Sequence, residues 1–169
     1  MRRRVLAVAL LLLCVAPATA AERWWVGGGI GVGFGDVTYV SVEPAVGYSV
    51  TDRLGVGARL TYRYRDDERY SPNLSTNDYG ASLFGRYHVT QPVFLQLEYE
   101  YLSYEYAFTD GSTARDDFDS VLAGAGVLQP LGGSSSFFAM ALYNLSYQDD
   151  EPSPYDDPWV IRIGVGFAF

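Results

Sequence analysis

The side chains in this 169-residue chain that could do chemistry are arginines and carboxylates set singly into otherwise apolar runs. Glu43 follows Val40-Ser41-Val42, Arg59 and Arg63 flank Leu60-Thr61-Tyr62, and Arg86 stands between Gly85 and Tyr87. Glu98 and Glu100 alternate with Leu97, Tyr99 and Tyr101, and Arg162 separates Ile161 from Ile163. An isolated charge with an apolar residue on either side belongs on a strand, where successive side chains point to opposite faces. Charges of both signs taken away from water are best satisfied by pairing with one another, so an Arg/Glu network is the expected chemistry. Such a network either holds an interior closed or acts as a gate that opens a narrow passage when a pair exchanges partners. Conductance of Arg59→Ala and Glu98→Gln variants separates the two roles.

Other chemistry has thin support. The chain has one histidine, His88, followed by Val89-Thr90, and no serine stands where a nucleophile would be needed beside it. His88 reads as an ordinary polar residue near a turn, and no catalysis is expected. Acidic runs occur at Asp66, Asp67 and Glu68, at Asp116, Asp117 and Asp119, and at Asp149, Asp150, Glu151, Asp156 and Asp157. Hard cations take carboxylate oxygens, yet no spacing here matches an EF-hand loop. These runs are read as solvated, self-repelling tips, and no metal site or cofactor is expected.

The elements that must position the charges are strands. Alternation predicts them at about Arg23 to Phe34, Val37 to Val50, Leu54 to Tyr64, Asp78 to Val89, Val93 to Tyr104, Phe118 to Leu128, Ser136 to Tyr147 and Trp159 to Phe169. Short turns and longer charged loops alternate between them, the loops falling at Arg65 to Asn77, Tyr106 to Asp117 and Gln148 to Asp157. Pro44 cannot donate a ladder hydrogen bond, so a bulge or a locally skipped pair is expected there, with room for a one-residue slip in facing. The sixth strand, apolar on both faces, leaves its facing open. In the seventh, Asn144 and Ser146 favour Tyr143, Leu145 and Tyr147 as the outward set.

With these facings, aromatic residues gather at both ends of the strands. One end collects Trp24, Tyr48, Tyr87, Phe167 and Phe169; the other collects Tyr62, Tyr64, Tyr79, Tyr101, Tyr147 and Trp159. Two girdles are what a bilayer with two interfaces requires. A soluble barrel or sandwich would bury its large apolar residues, whereas here the smaller and charged ones are expected inside.

The last strand carries a resemblance. Its polar Arg162, Gly164, late hydrophobic Phe167 and terminal aromatic Phe169 resemble the C-terminal signal of bacterial outer-membrane β-barrel proteins. Together with the strand pattern, the mature chain resembles the small eight-stranded, porin-like outer-membrane barrels of the OmpA/OmpX type. The resemblance implies an all-β, eight-stranded antiparallel transmembrane up-and-down barrel with both termini in the periplasm. It further implies that the tail is read by the barrel-assembly machinery, with periplasmic chaperones as transient partners and lipid and lipopolysaccharide as surroundings. Two relatives of this kind are lipid-A enzymes using His and Ser, but the deacylase's His-x-Ser pattern is absent at His88, and no amphipathic helix precedes Trp24.

The other end of the chain fits export. Arg2, Arg3 and Arg4 precede an apolar run from Val5 to Ala16, then Pro17 and Ala18-Thr19-Ala20. This is the pattern of a signal peptide over residues 1–20, cleaved near Ala20/Ala21, and the run is too short to span a bilayer as a helix. Leu13 before Cys14 departs from a lipoprotein box, so the single cysteine is expected to leave with the leader. Residues 21–169 then form one domain. Loss of the three leader arginines leaves 9 basic against 20 acidic residues, a net charge of −11, which repels nucleic acid.

The expected protein is therefore a monomeric, non-enzymatic outer-membrane barrel with a structural or envelope role, its lumen plugged by Glu43, Arg59, Arg63, Arg86, Glu98, Glu100 and Arg162. The alternative is surface adhesion, or ligand or cation binding, through the acidic loops.

Overall fold

The computed structural model describes residues 23–33, 37–67, 74–108, 112–148, 154–155 and 157–169. The expected leader and its cleavage point lie outside these residues, as do Phe34, Glu68, Asp149, Asp150, Glu151 and Asp156. Among the described residues eight strands follow one another: β1 (Trp24–Gly33), β2 (Val37–Ser49), β3 (Leu54–Asp67), β4 (Leu74–His88), β5 (Val93–Ala107), β6 (Thr113–Gly132), β7 (Ser135–Asn144) and β8 (Trp159–Ala168). Each pairs antiparallel with its sequence neighbour, and β8 returns to β1, so the sheet closes into a barrel. Closure leaves no edge strand, the condition for a sheet surrounded by lipid.

The facing follows alternation. Val40, Val42, Val46, Val56, Leu60, Leu83, Leu95, Leu97, Ile161 and Ile163 are all exposed on the outside, and Leu83, midway along β4, is 66% exposed. An apolar exterior of this extent marks a lipid-facing surface. Trp24 and Tyr48 stack edge to face at the end carrying the termini, where Tyr87, Phe167 and Phe169 are also exposed. At the opposite end Tyr62 packs against Tyr79 and Tyr143 against Trp159, with Tyr64 and Tyr101 exposed beside them. Tyr147 departs from the expectation. β7 stops at Asn144, and Tyr147 sits in the following turn, packed against the core cluster rather than facing outward.

Pro44 introduces no bulge. The β2–β3 register is the same on both sides of it, from Val42↔Tyr62 to Ala45↔Arg59, with only the intervening pairs missing from the ladder. The missing donor is absorbed by a local gap, and Val46 still faces outward as Val42 does.

Two of the long loops are shorter than the charges suggest. The β3–β4 ladder runs on to Asp67↔Leu74, and the β5–β6 ladder to Ala107↔Thr113, through segments that read as solvated loop. Charge predicts contact with water, and an antiparallel hairpin rising beyond the lipid supplies that contact while keeping its hydrogen bonds.

The interior also differs from the expectation of small and charged residues. β6 turns Ser120 and Leu122 inward, and β7 turns Phe138, Met140, Leu142 and Asn144 inward. Asn144 donates to Ser120 Oγ at 3.3 Å, tying the two strands across the lumen face. With Phe94, Val160 and Tyr155 these residues form an apolar cluster along the β5–β8 side. The lumen is two-sided, with hydrocarbon on that wall and ion pairs on the other. Filling it needs volume as well as charge.

Candidate functional site

The centre of the lumen is a set of charges drawn from four strands. β2 supplies Glu43, β3 Arg59, β5 Glu98 and Glu100, and β8 Arg162, and each is almost completely buried. Arg59 Nη1 donates to both oxygens of Glu98, at 2.9 and 2.8 Å, and its Nε lies 3.7 Å from Glu43 Oε2. Arg162 reaches three carboxylates. Its Nη1 donates to Glu98 Oε2 at 3.0 Å and its Nη2 to Glu100 Oε1 at 3.2 Å, while its Nε lies 2.7 Å from Glu43 Oε2. Neutral donors complete the shell: Ser41 Oγ donates to Glu43 Oε1 at 2.8 Å and Gln96 Nε2 to Glu98 Oε2 at 2.7 Å.

Glycine makes room for this cluster. A Cβ at Gly31 would come within 3.2 Å of Glu43 Oε1. At the closing seam, Gly29 stands opposite Gly164, and a Cβ at Gly29 would fall 2.8 Å from the backbone oxygen of Ile163. Both strands that meet at the closure are therefore stripped of side chains on the face where the Arg162 side chain must lie.

Arg63 joins the cluster indirectly. Its guanidinium lies between the rings of Tyr39 and Tyr155, 4.7 and 4.9 Å from their centroids, and donates to Tyr155 Oη at 3.3 Å and to the Pro154 carbonyl at 3.4 Å. Tyr155 in turn donates to Glu100 Oε2. This tyrosine comes from the segment between β7 and β8, read from sequence as a solvated acidic loop, yet it is 5% exposed and packs in the apolar cluster. Burial, and then the Glu100 charge, push its phenol above the ordinary value. Tyr155 is thus brought from this segment onto the charges at the end opposite the termini.

Arg86 stands apart. Its Nε and Nη2 donate to Gln96 Oε1 at 3.1 and 2.9 Å, and the rings of Trp25, Phe84, Phe94 and Phe138 surround it at 4.2 to 5.7 Å. Among the described residues no carboxylate pairs with it. A second ion pair, which the strand pattern did not reveal, lies nearer the opposite end. Arg65 Nε and Nη2 donate to Asp78 at 2.7 and 2.9 Å, and its Nη1 donates to Tyr104 Oη at 2.6 Å. Both residues fell inside or beside the charged segment read as loop. Two residues of opposite charge, 13 apart and flanking a turn, were the available signal.

The tail residues sit at the closure. Arg162 belongs to the central cluster, Gly164 to the seam, and Phe167 and Phe169 face outward, with Phe169 N donating to the Trp24 carbonyl at 2.9 Å. His88 is half-buried near the end carrying the termini, its ring 5.9 Å from that of Phe94. Among the described residues no group of acids, histidines or cysteines could hold a metal ion.

Comparison with known proteins places this architecture. The N-terminal β-barrel domain of Pseudomonas aeruginosa OprF superposes with a TM-score of 0.63 at 17% identity, over 88% of this chain and 98% of that one. A major outer membrane protein from Thermus thermophilus aligns over 86% of this chain and 99% of its own, at 13% identity and a TM-score of 0.45. No curated protein matches in sequence. The OprF likeness, at that identity, is one of fold. The family model described as outer membrane protein beta-barrel domain matches residues 5–169, so the chain belongs to that family and is a protein of the bacterial outer membrane.

Proposed function

We propose that the protein is a structural component of the outer membrane whose lumen is plugged, with at most marginal pore activity. The observation that carries this reading is the span of the central cluster: Arg162 on β8 touches Glu43 on β2 and both Glu98 and Glu100 on β5, so one guanidinium bridges the lumen. The side chains of Phe138, Met140, Leu142 and Tyr155, packed in one apolar cluster on the β5–β8 side, support the same reading. No catalytic role is proposed. His88 has no serine or carboxylate bonded to it among the described residues, and the central carboxylates are held by arginines.

In this reading the chain is exported with a cleaved leader, its termini lie in the periplasm, and its last strand is recognised during assembly. Lipid and lipopolysaccharide are its lasting partners, and it works as a monomer. Single-channel recording of the refolded barrel in a planar bilayer tests it, after heat-modifiable migration has established folding. A silent membrane is expected. Frequent stepwise openings, altered in size or frequency by Arg59→Ala or Glu98→Gln, would replace the plug with a conducting gate.

A further inference from the structure

Among the described residues the charges of the lumen balance except at one place. Arg65 pairs with Asp78, while Arg59, Arg162 and Arg63 are set against Glu43, Glu98 and Glu100, directly or through Tyr155. Arg86 is left over. Its only hydrogen-bond partner among the described residues is the neutral Gln96 oxygen, which takes two of its donor atoms and leaves Nη1 without a bond. A buried guanidinium without a counter-ion is costly, and the surrounding rings offset only part of that cost.

The same arginine lines a cavity of about 210 Å³ that opens at the end carrying the termini. The inner end of this vestibule is formed by Arg59 and Glu43, its walls include Trp25, Leu128 and Phe138, and its rim carries Asp52, Arg53 and His88. A water molecule's share of liquid volume is roughly 30 Å³, so the space accepts several waters or one small organic molecule. The acidic groups nearby do not compete for Arg86. Glu43 is held by Arg162 and Glu98 by Arg59 and Arg162, and Asp52 stands at the rim beside Arg53.

We propose that this vestibule is a binding site for a small organic monocarboxylate, with the carboxylate held by Arg86 and the apolar body packed against Trp25, Leu128 and Phe138. The planar guanidinium matches a carboxylate in shape and charge, and Arg53 at the rim favours the entry of an anion. Such a ligand satisfies Nη1 and the unpaired charge together, which neither water nor a neutral molecule does. The site needs no opening of the central cluster and is compatible with a silent lumen.

The test uses the refolded mature barrel carrying W24F and W159F, which leave Trp25 as the only tryptophan. Butyrate is titrated at constant ionic strength while Trp25 emission is read, with butyramide and chloride as comparators. A saturable change with butyrate, much weaker with either comparator, is expected. Arg86→Met should weaken it roughly tenfold or more, since a charge-assisted contact is lost. Leu128→Phe, which fills space without altering charge, should abolish the response and serves if Arg86→Met does not fold. The proposal is overturned by an absent butyrate response, by an equal response to butyramide or chloride, or by a folded Arg86→Met or Leu128→Phe variant that binds as the parent does.

Discussion

Arg162 and Glu98 meet across the lumen at 3.0 Å, although 64 residues separate them and they stand on strands that are not neighbours in the sheet. Their contact links β8 to β5 across the lumen, between strands that do not pair with each other. The final strand therefore carries a guanidinium that, with Arg59, holds the carboxylates of β2 and β5.

Arg162→Met removes a cation from three carboxylates at once. Breaking a buried ion pair by deleting one partner costs about 3–5 kcal/mol, and a loss of that size is expected in urea unfolding from lipid vesicles. Adding Glu98→Gln should recover part of it, because the two positions are in contact and their effects do not add. A strictly additive double variant would mean that the pair is not coupled.

Tyr155→Phe keeps the ring in the apolar cluster and deletes the hydroxyl that bridges Arg63 and Glu100. Two buried partners lose a bond, and the expected cost is about 1–3 kcal/mol by the same unfolding assay. Unchanged stability would show that the loop contributes packing alone.

The same tyrosine predicts an alkaline dependence. Its folded-state value is raised above the ordinary 10.0, so the barrel holds this proton more tightly than the unfolded chain does. The stability it contributes is fully present below about pH 10 and declines as the pH rises further. The difference in unfolding free energy between the parent and Tyr155→Phe, measured from about pH 8 to about pH 11 across the ordinary range of tyrosine titration, should narrow at the alkaline end. A constant difference would contradict the shift.

Substitutions on the lipid face should follow depth. Leu83→Arg, midway between Tyr79 and Tyr87 on β4, is expected to cost about 2–4 kcal/mol, whereas Leu131→Arg, exposed at the end of β6 beside the turn, should cost about 1 kcal/mol or less. Equal costs would place both side chains in the same medium.

Two glycines make a matched pair. Gly29→Ala forces a methyl group within 2.8 Å of the Ile163 carbonyl oxygen and must push the closing strands apart, while Gly85→Ala meets nothing within 4 Å. Folding yield, read as the heat-modifiable fraction, should fall for Gly29→Ala and stay unchanged for Gly85→Ala. A reversed order would remove the close approach as the reason for glycine at the seam.

Alternation along single strands was enough to read which residues turn inward in β2 to β5, because Glu43, Arg59, Arg86 and Glu98 stand against strongly apolar neighbours. It left the facing of β6 open, where Leu122 faces in and Val121 out; in β7 Asn144, rather than hydropathy, marked the inward face, and Tyr143 and Leu145 stand outward as expected while Met140 and Leu142 face in. Both faces of those strands meet hydrocarbon, lipid on one side and the apolar wall of the lumen on the other, so hydropathy has no contrast to report. Charge misled at Arg65, since a salt-bridged residue inside a hairpin and a solvated loop have the same composition.

By itself the sequence determined the number of strands, their antiparallel succession, and the apolar band with aromatic residues at its two ends. These depend on local periodicity, which each strand carries independently of the others. Only the tertiary structure decided which charges meet: that Arg162 serves three carboxylates, that Arg63 reaches Glu100 through a tyrosine from a loop, and that Arg86 is left with Gln96 and a cavity. Pairing inside a barrel depends on stagger and on closure around a shared axis, and these are properties of eight strands together that no single strand encodes.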